Sequence, residues 1–206
     1  MKLYRMPLGP LGTNCYILED ETNHHCFVAD PGGDGEQLVA VLNEKGLIPE
    51  AVLLTHGHGD HIGGVQAVVD AFQAPVYIHK GDEDFLTNSD LNLSSAMGLN
   101  VQVHGDIKLV KEDDVIFLGD HKFTVIETPG HTPGGVCYYG EGLLLAGDTL
   151  FQESIGRTDF PRSSYDDLIE AIKIKLYALP DETVVYPGHG PETTIGHEKT
   201  YNPFVR

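Results

Sequence analysis

One short segment of the chain concentrates side chains that bind metals. Imidazole and carboxylate are ligand types that borderline divalent metals accept. Gly57 would let the two histidines beside it point to the same ion, and the last two candidates, at the start of a predicted helix, would face a neighbouring position. The segment is THGHGDH at residues 55–61, and its candidate ligands are His56, His58, Asp60 and His61.

Three more residues of these chemical kinds lie far along the chain, each just past a predicted strand. His131 follows KFTVIETPG, Asp148 ends GLLLAGD, and His189 follows VVYPG. Side chains so far apart in sequence converge only through the fold, and glycines at these strand ends leave room around them. Five histidines and two aspartates suffice for two ions that share a bridging ligand, whereas a single ion would leave three of them unused.

Each candidate also has an ordinary structural interpretation. Asp60 is a suitable helix N-cap and Asp148 a suitable turn residue. A single histidine is more often a satisfied core or surface residue than a ligand, but the combination of H-x-H-x-D-H with three strand-end residues favours a metal site. We interpret the other six histidines as structural: His24, His25, His79, His104, His121 and His197.

The hydrophobic pattern predicts the elements that must position these residues. Both halves of the chain alternate short strands with helices, and no linker separates them, which predicts two sheets packed face to face with helices outside. The polar segment Asn88 to Asn100 is predicted to be a loop or lid. Ser163 or Ser164 is expected to cap the clearest amphipathic helix. The segments with helical spacing are GEQLVAVLNEKG, VQAVVDAF and SYDDLIEAIKIKLYAL.

The composition argues against several classes of partner. The 206 residues include 31 acidic and 13 basic side chains, for a formal net charge of -18, and no basic run. A field of that sign repels phosphate backbones and anionic membranes, so we expect neither nucleic acid nor a membrane as partner. No apolar stretch approaches the roughly 20 residues of a membrane span, and no signal-peptide run is present. We expect a cytoplasmic protein with Cys15, Cys26 and Cys137 as reduced, buried thiols.

The motifs taken together resemble those of a known family. THGHGDH at 55–61, PGHTPG at 129–134, GDTLF at 147–151 and PGHG at 187–190 are similar to the metallo-β-lactamase superfamily, with the ligands of its glyoxalase II branch. The resemblance covers essentially the whole chain. It implies an α/β protein, a four-layer αββα sandwich, formed as one domain over residues 1–206, with a binuclear site on one edge.

The resemblance also implies how the ligands divide. Two divalent ions are expected, zinc in the first place, with iron or manganese as alternatives. Asp148 would bridge the two ions. One ion would be held by His56, His58 and His131, and the other by Asp60, His61 and His189.

Such a pair of ions would supply a nucleophile. Two cations about 3.5–4 Å apart lower the pKa of a shared water from about 15.7 toward roughly 7. The resulting hydroxide would attack a carbonyl carbon, one metal would stabilise the oxyanion, and Asp60 would hold or accept a proton of the attacking water. Cys137 and the serines have no nearby base in any recognisable motif, so covalent catalysis has little support.

Acyl thioesters are the substrates that suit this arrangement best, because a thiolate leaves without strong protonation. We therefore expect a hydroxyacylglutathione hydrolase-like enzyme acting on a thioester such as S-lactoylglutathione. Class B β-lactamases are secreted, and several carry Cys where this chain has Asp148, which argues against that activity. The nucleases of the superfamily need a basic RNA-binding surface, of which the sequence shows no sign.

The chain departs from full-length glyoxalase II in two places. Only 17 residues follow His189, whereas the longer enzymes continue into a helical domain whose basic side chains hold glutathione, so glutathione specificity is open. The short bacterial form lacks that domain. Arg157 stands where glyoxalase II has a basic residue near the substrate and is a candidate clamp for a glutathione carboxylate. The alternative for Arg157 is a structural salt bridge to Asp159.

Two other enzymes and one non-enzyme compete with this interpretation. IGRTDFP also resembles persulfide dioxygenases, which use one iron held by residues matching His56, His131 and Asp148, a set suited to oxygen chemistry. Sequence spacing does not decide between that enzyme and the hydrolase. A lactone hydrolase is the third choice. A metal-storing protein is disfavoured because glycine-lined strand-end sites leave a water position open.

Overall fold

Two six-stranded β-sheets form the centre of the protein, in a computed structural model that describes residues 1–206. The strands of the first sheet, which lie side by side in chain order, are β1 (Lys2–Leu8), β2 (Thr13–Glu19), β3 (His25–Ala29), β4 (Ile48–Leu53), β5 (Val76–His79) and β6 (Ile107–Val110). β1, β2 and β3 are antiparallel neighbours, as expected for the predicted meander. From β3 to β6 the pairing is parallel.

The second sheet comes from the C-terminal half. Its strands are β7 (Val115–Leu118), β8 (His121–Glu127), β9 (Val136–Gly140), β10 (Leu143–Gly147), β13 (Val184–Pro187) and β14 (Thr193–Thr194). They lie in the order β14-β13-β10-β9-β8-β7, and β10 with β13 is the parallel pair. A two-stranded ribbon follows β10, formed by β11 (Leu150–Phe151) and β12 (Ser154–Ile155).

Helices complete the architecture. They are α1 (Gly35–Lys45), α2 (Gly59–Ile62), α3 (Val65–Phe72), α4 (Tyr165–Ile174) and α5 (Ile195–Tyr201), with 3₁₀ turns at Lys80–Leu86, Ser94–Met97 and Leu176–Ala178. Gly46 ends α1 in a left-handed conformation, as its position predicts. None of the helices has the length and apolar character that crossing a bilayer requires.

Each sheet is apolar on both faces, and this produces three separate cores. In β3, Cys26 and Val28 face α1 and α3, whereas the neighbouring Phe27 faces the other sheet. Successive side chains of a strand point to opposite faces, so one strand serves two cores. Phe27 meets Phe123 of β8 between the sheets, with ring centroids 5.9 Å apart. A third core lies between the second sheet and α4 with α5, around Leu168. The predicted αββα sandwich is confirmed.

Local details depart from the sequence prediction at the C-terminal helices. Ser164 caps α4 by accepting a hydrogen bond from the Asp167 amide. The helix ends at Ile174, earlier than its apolar pattern suggests, because the chain tightens into the 3₁₀ turn that follows. α5 was not predicted, although Thr194 caps it through the His197 amide. The predicted loop at Asn88 to Asn100 contains the 3₁₀ turn Ser94–Met97.

Candidate metal centre

The seven predicted ligands meet where strands of both sheets end. The segment that follows β4 of the first sheet brings His56 and His58, and α2 continues it with Asp60 and His61. The second sheet contributes the other three, each just past a strand: His131 after β8, Asp148 after β10 and His189 after β13. The fold therefore supplies the convergence that the sequence pattern requires.

The donor atoms form two outer groups. His56, His58 and His131 have donor atoms within 4.8 Å of one another, and His58 Nδ1 lies 3.0 Å from His131 Nε2. The other group contains Asp60, His61 and His189, again within 4.8 Å. In it Asp60 Oδ2 lies 3.2 Å from the Nε2 atom of His189 and 3.9 Å from that of His61.

Asp148 lies between the two groups. Its Oδ1 atom is 3.3 Å from His61 Nε2, and its Oδ2 atom is 3.6 Å from His131 Nε2 and 3.7 Å from His189 Nε2. One carboxylate thus borders nitrogen donors of both groups. This is the position that a ligand shared by two ions would need.

Three buried polar atoms of this cluster have no hydrogen-bond partner. They are His56 Nε2, His61 Nε2 and Asp148 Oδ1. An unsatisfied buried polar group costs about 1–3 kcal/mol, so three in one place call for an explanation. A cation would coordinate all three atoms, and imidazole with carboxylate is a suitable donor set for zinc, iron or manganese. The residues present therefore fit the implied metals.

Burial and neighbouring charges set the protonation of the histidines. Burial lowers the pKa of His56 well below its ordinary value and that of His58 to about 3, and the neighbouring imidazoles add to both shifts. Both rings are therefore neutral, the form that binds a metal. Burial also disfavours the charged form of His61, but the carboxylates of Asp148 and Asp60 raise its pKa well above the ordinary value.

The two carboxylates are held ionised. Burial alone would raise the pKa of both Asp60 and Asp148, but the adjacent imidazole of His61 outweighs it and keeps both values below the ordinary one. His189 donates a hydrogen bond to Asp60, which raises the pKa of its own ring. The cluster thus contains anionic oxygens beside neutral nitrogens, the combination in which a cation is bound.

A buried aspartate outside the predicted set orients His61. Asp30 lies one residue past β3, and its Oδ2 atom is 3.1 Å from His61 Nδ1. The same carboxylate accepts hydrogen bonds from the Thr55 amide and hydroxyl, at 2.8 and 2.6 Å. Holding Nδ1 of a histidine leaves its Nε2 to face the ligand cluster. Sequence reasoning missed Asp30, although FVADP shows the same strand-end aspartate signal as GLLLAGD.

A second missed aspartate joins the two segments that carry His58 and His131. Asp82 is fully buried, and its carboxylate accepts hydrogen bonds from the amides of Gly57, at 2.9 Å, and Gly134, at 2.7 Å. Burial raises the pKa of this carboxyl, against the effect of its hydrogen bonds. Asp82 lies in a polar stretch after β5 with no sequence signal that distinguishes it from the exposed Asp84.

The tight packing of the cluster requires glycine at one strand end. A Cβ atom at Gly188 would lie 2.4 Å from Asp148 Oδ1 and 2.5 Å from His61 Cε1. The backbone after β13 therefore approaches the cluster more closely than any side chain permits. The next residue is His189, which the close approach brings into the cluster.

An open cavity of about 410 Å³ lies above the cluster. His58, Asp60, His131, Asp148 and His189 form its polar side. A volume of this size is typical of small-molecule sites. The rest of its wall is largely apolar and includes Leu11, Leu93, Ala96, Met97, Phe151 and Phe160.

Arg157 lines the cavity but has partners of its own. Its guanidinium donates two hydrogen bonds to Asp159, at 2.9 and 2.8 Å, and lies 4.2 Å from the ring centroid of Phe160. Its carbonyl accepts the Nδ1 hydrogen of His131 at 2.8 Å, which turns His131 Nε2 toward the cluster. The structural salt bridge therefore forms, and substrate binding by the side chain stays a prediction.

The histidines interpreted as structural lie away from the cluster. His79 pairs with Glu127 at 3.0 Å and His197 with Glu153 at 3.1 Å. His25 pairs with Glu50 at the surface. Glutamates also pair with His24 and His121.

Sequence comparison shows similarity to metallohydrolases. The pattern of the metallo-β-lactamase superfamily matches residues 8–189. The probable metallo-hydrolase YqgX of Bacillus subtilis is 40% identical over 208 positions, covering 100% of this chain and 98% of that protein. The hydroxyacylglutathione hydrolase GloC of Haemophilus influenzae is 35% identical over 209 positions, covering 100% of this chain and 98% of that protein.

Solved structures share the fold. The B3 metallo-β-lactamase BLEG-1 superposes with a TM-score of 0.94 at 42% identity, covering 99% of both chains. TTHA1623 in a di-iron-bound form gives 0.89 at 39% identity, covering 98% of this chain and 99% of the other. ETHE1 from Myxococcus xanthus gives 0.82 at 29% identity, covering 100% and 84%. With its αββα layers and strand-end motifs, this chain belongs to the metallo-β-lactamase superfamily.

Proposed function

We propose that this protein is a metal-dependent hydrolase of acyl thioesters, of the glyoxalase II type. The observation that carries the proposal is the convergence of seven metal-binding side chains, three of their buried atoms without partners, beneath an open cavity. The similarity to the hydroxyacylglutathione hydrolase GloC over the whole chain supports the thioester as substrate.

The proposed metals are two divalent ions, of zinc or iron in the first instance. His56, His58 and His131 would hold one, Asp60, His61 and His189 the other, and Asp148 would contact both. Bound there, the ions would supply hydroxide at neutral pH and polarise a carbonyl group. The di-iron form of TTHA1623 supports iron as an alternative to zinc.

The residues of the chain then have distinct roles in hydrolysis. Asp60 borders the cavity and is the residue that would hold or accept a proton of the attacking water. Asp30 and the Arg157 carbonyl orient the rings of His61 and His131. In the overall reaction the water oxygen bonds to the acyl carbon and the C–S bond breaks. The thiolate leaves, and the products are a carboxylate and a thiol.

An oxygenase is the second candidate. His56, His131 and Asp148 lie close enough together to form a two-histidine, one-carboxylate iron site, the donor set suited to oxygen chemistry. The similarity to ETHE1 from Myxococcus xanthus, at 29% identity, favours keeping this candidate. The second group of donors, Asp60, His61 and His189, favours the hydrolase because a single iron would leave it unused.

Elemental analysis combined with a substrate panel tests the proposal. Protein purified without added metal is analysed for zinc, iron and manganese, and then assayed with S-lactoylglutathione, a lactone, a chromogenic cephalosporin and glutathione persulfide. Two metals per chain and thioester cleavage without oxygen consumption are expected. One iron per chain with oxygen uptake on the persulfide would support the oxygenase instead. Preferred cleavage of the cephalosporin would place the activity with that of BLEG-1, and preferred cleavage of the lactone would establish a lactonase.

A further inference from the structure

Leu93 has a backbone conformation that leucine rarely adopts. Its φ of 65° lies in the left-handed region, where a side chain costs about 1–2 kcal/mol. The other non-glycine residues with positive φ in this protein are polar or charged, and Leu93 is the apolar exception. Glycine or asparagine would satisfy the backbone at lower cost. The leucine side chain itself therefore has to be explained.

Neighbouring hydrogen bonds hold this conformation in place. Asn92 is fully buried, and its side-chain amide donates to the carbonyls of Phe85 and Val101, at 2.8 and 3.1 Å. Its side-chain oxygen accepts the Ser94 amide at 3.0 Å, and its backbone carbonyl accepts the amide of Gly59 at 2.6 Å. Gly59 lies between His58 and Asp60. The segment is thus fastened directly to the candidate metal centre.

The Leu93 side chain lines the cavity above the centre, beside Met97 of the same segment and Leu11 of the β1–β2 turn. Leu11 is 57% exposed and Met97 is 37% exposed, so this wall is open to a ligand. An apolar surface gains free energy when an apolar group covers it. The position of Leu93 therefore favours a substrate with an apolar part close to the reacting carbonyl.

The charges around the cavity do not favour an anionic partner on this side. Arg157 is the cavity's one lysine or arginine, and Asp159 occupies its guanidinium with two hydrogen bonds. The chain as a whole has a formal net charge of -18. Biological thiol carriers are polar and charged, so the apolar part of a thioester is its acyl chain. Recognition by this wall would then be directed at the acyl chain.

We infer that Leu93 determines substrate specificity by forming, with Leu11 and Met97, an apolar subsite that selects thioesters with apolar acyl chains. This inference rests on the proposed thioester hydrolase function. It explains why the segment keeps a leucine where its backbone favours a smaller or polar residue.

A series of glutathione thioesters from acetyl to hexanoyl tests the inference. For the metal-loaded wild-type protein we expect kcat/KM to rise about threefold with each added methylene, because each one buries further apolar surface. In Leu93→Asn the rise is expected to disappear, while the thermal midpoint does not fall, because asparagine tolerates the left-handed conformation. Leu93→Gly is expected to behave in the same way.

Leu99→Asn is the matched control. Leu99 lies in the same segment, is 48% exposed and does not line this cavity, so its substitution should leave the series unchanged. A flat wild-type series, or a rise that survives in Leu93→Asn, would overturn the inference. A lower thermal midpoint with an unchanged series would show that Leu93 is only structural. If no thioester is cleaved by the metal-loaded wild type, the proposed function itself fails.

Discussion

Asp148 is the residue whose loss should disturb both groups of donors at once. Its two oxygens lie 3.3 Å from His61 Nε2 and 3.6 Å from His131 Nε2. In Asp148→Ala we expect the metal content to fall below one ion per chain and hydrolysis to fall by more than about 100-fold. Elemental analysis and initial rates measure the two effects. Full activity with two metals retained would show that Asp148 does not join the two groups.

His25→Ala is the control for that substitution. His25 pairs with Glu50 at the surface, away from the candidate centre. Its loss should change neither metal content nor rate, because a partly exposed pair contributes little to stability. A large loss of metal in this variant would mean that substituting any histidine disturbs the protein.

Asp30 gives a second prediction at this scale. In Asp30→Asn an amide NH₂ would replace one of the two oxygens that serve Thr55 and His61, so at least one of these partners loses its acceptor. We expect metal affinity to fall by about 10- to 100-fold, as for other partners of metal-binding histidines. Competition with a chromophoric chelator measures it. Asp34→Asn is the control, because Asp34 is exposed and accepts only from the Gly9 amide. Equal affinities in both variants would contradict the orienting role.

The site residues differ in how visible they are from sequence. The seven candidate ligands share a chemical type and a position past strands, and this combination made their convergence predictable. Asp30 carries the same strand-end signal but stands alone, without a neighbouring histidine, and was passed over. Asp82 has no signal at all, because its importance comes from two amides, of Gly57 and Gly134, that only the fold brings to it.

Among the elements, the 3₁₀ turn at Lys80–Leu86 has a structural role that its length does not suggest. It holds Asp82, which joins the segment carrying His58 to the one carrying His131. In Asp82→Ala two buried amides lose their acceptor, and we expect the free energy of unfolding to fall by about 2–4 kcal/mol. Urea denaturation of the metal-free protein measures this without any contribution from metal binding.

Asp84→Ala is the control from the same turn. Asp84 is 52% exposed and pairs with Arg162 at 2.9 Å. An exposed ion pair contributes at most about 1 kcal/mol, so this variant should remain close to the wild type in stability. If both variants lost the same small amount, the connection made by Asp82 would contribute no more than a surface ion pair.

The elements themselves were predictable where their pattern is long enough. α1 ends at its glycine and α4 begins at its serine cap, since both signals act locally. Strands of two residues, such as β11 and β14, contain too few side chains to show alternation, and tertiary pairing alone creates them. α4 stops before its apolar pattern does because the last part of that pattern packs as a 3₁₀ turn.

At the scale of the whole molecule, the apolar runs in the strands predict the layers. Strands such as β2, β3 and β10 are buried almost throughout, which means that both faces of each sheet are covered. That property, together with helices in both halves, leads to four layers. The sequence does not show which strand ends meet, and here the fold places the end of β4 in the first sheet opposite the ends of three strands in the second.

This arrangement connects metal binding to the stability of the whole fold. The proposed ligands come from both sheets, so bound ions would join the two halves of the sandwich at one edge. A ligand that binds only the folded state at about 100 times its Kd adds roughly 2.7 kcal/mol. For a chain of this size, that corresponds to a rise in thermal midpoint of about 5–10 °C. Calorimetry of the metal-loaded and chelator-treated protein measures the difference.

The same calorimetry on Asp148→Ala separates specific binding from general effects of metal or chelator. This variant retains six of the seven donors but lacks the carboxylate that lies between the two groups, so we expect most of the metal-dependent shift to disappear. Metal bound nonspecifically to the acidic surface would stabilise both proteins alike, since the chain keeps its other acidic side chains. Identical midpoints for the loaded and the demonstrably metal-free wild type would mean that the ions do not connect the two sheets.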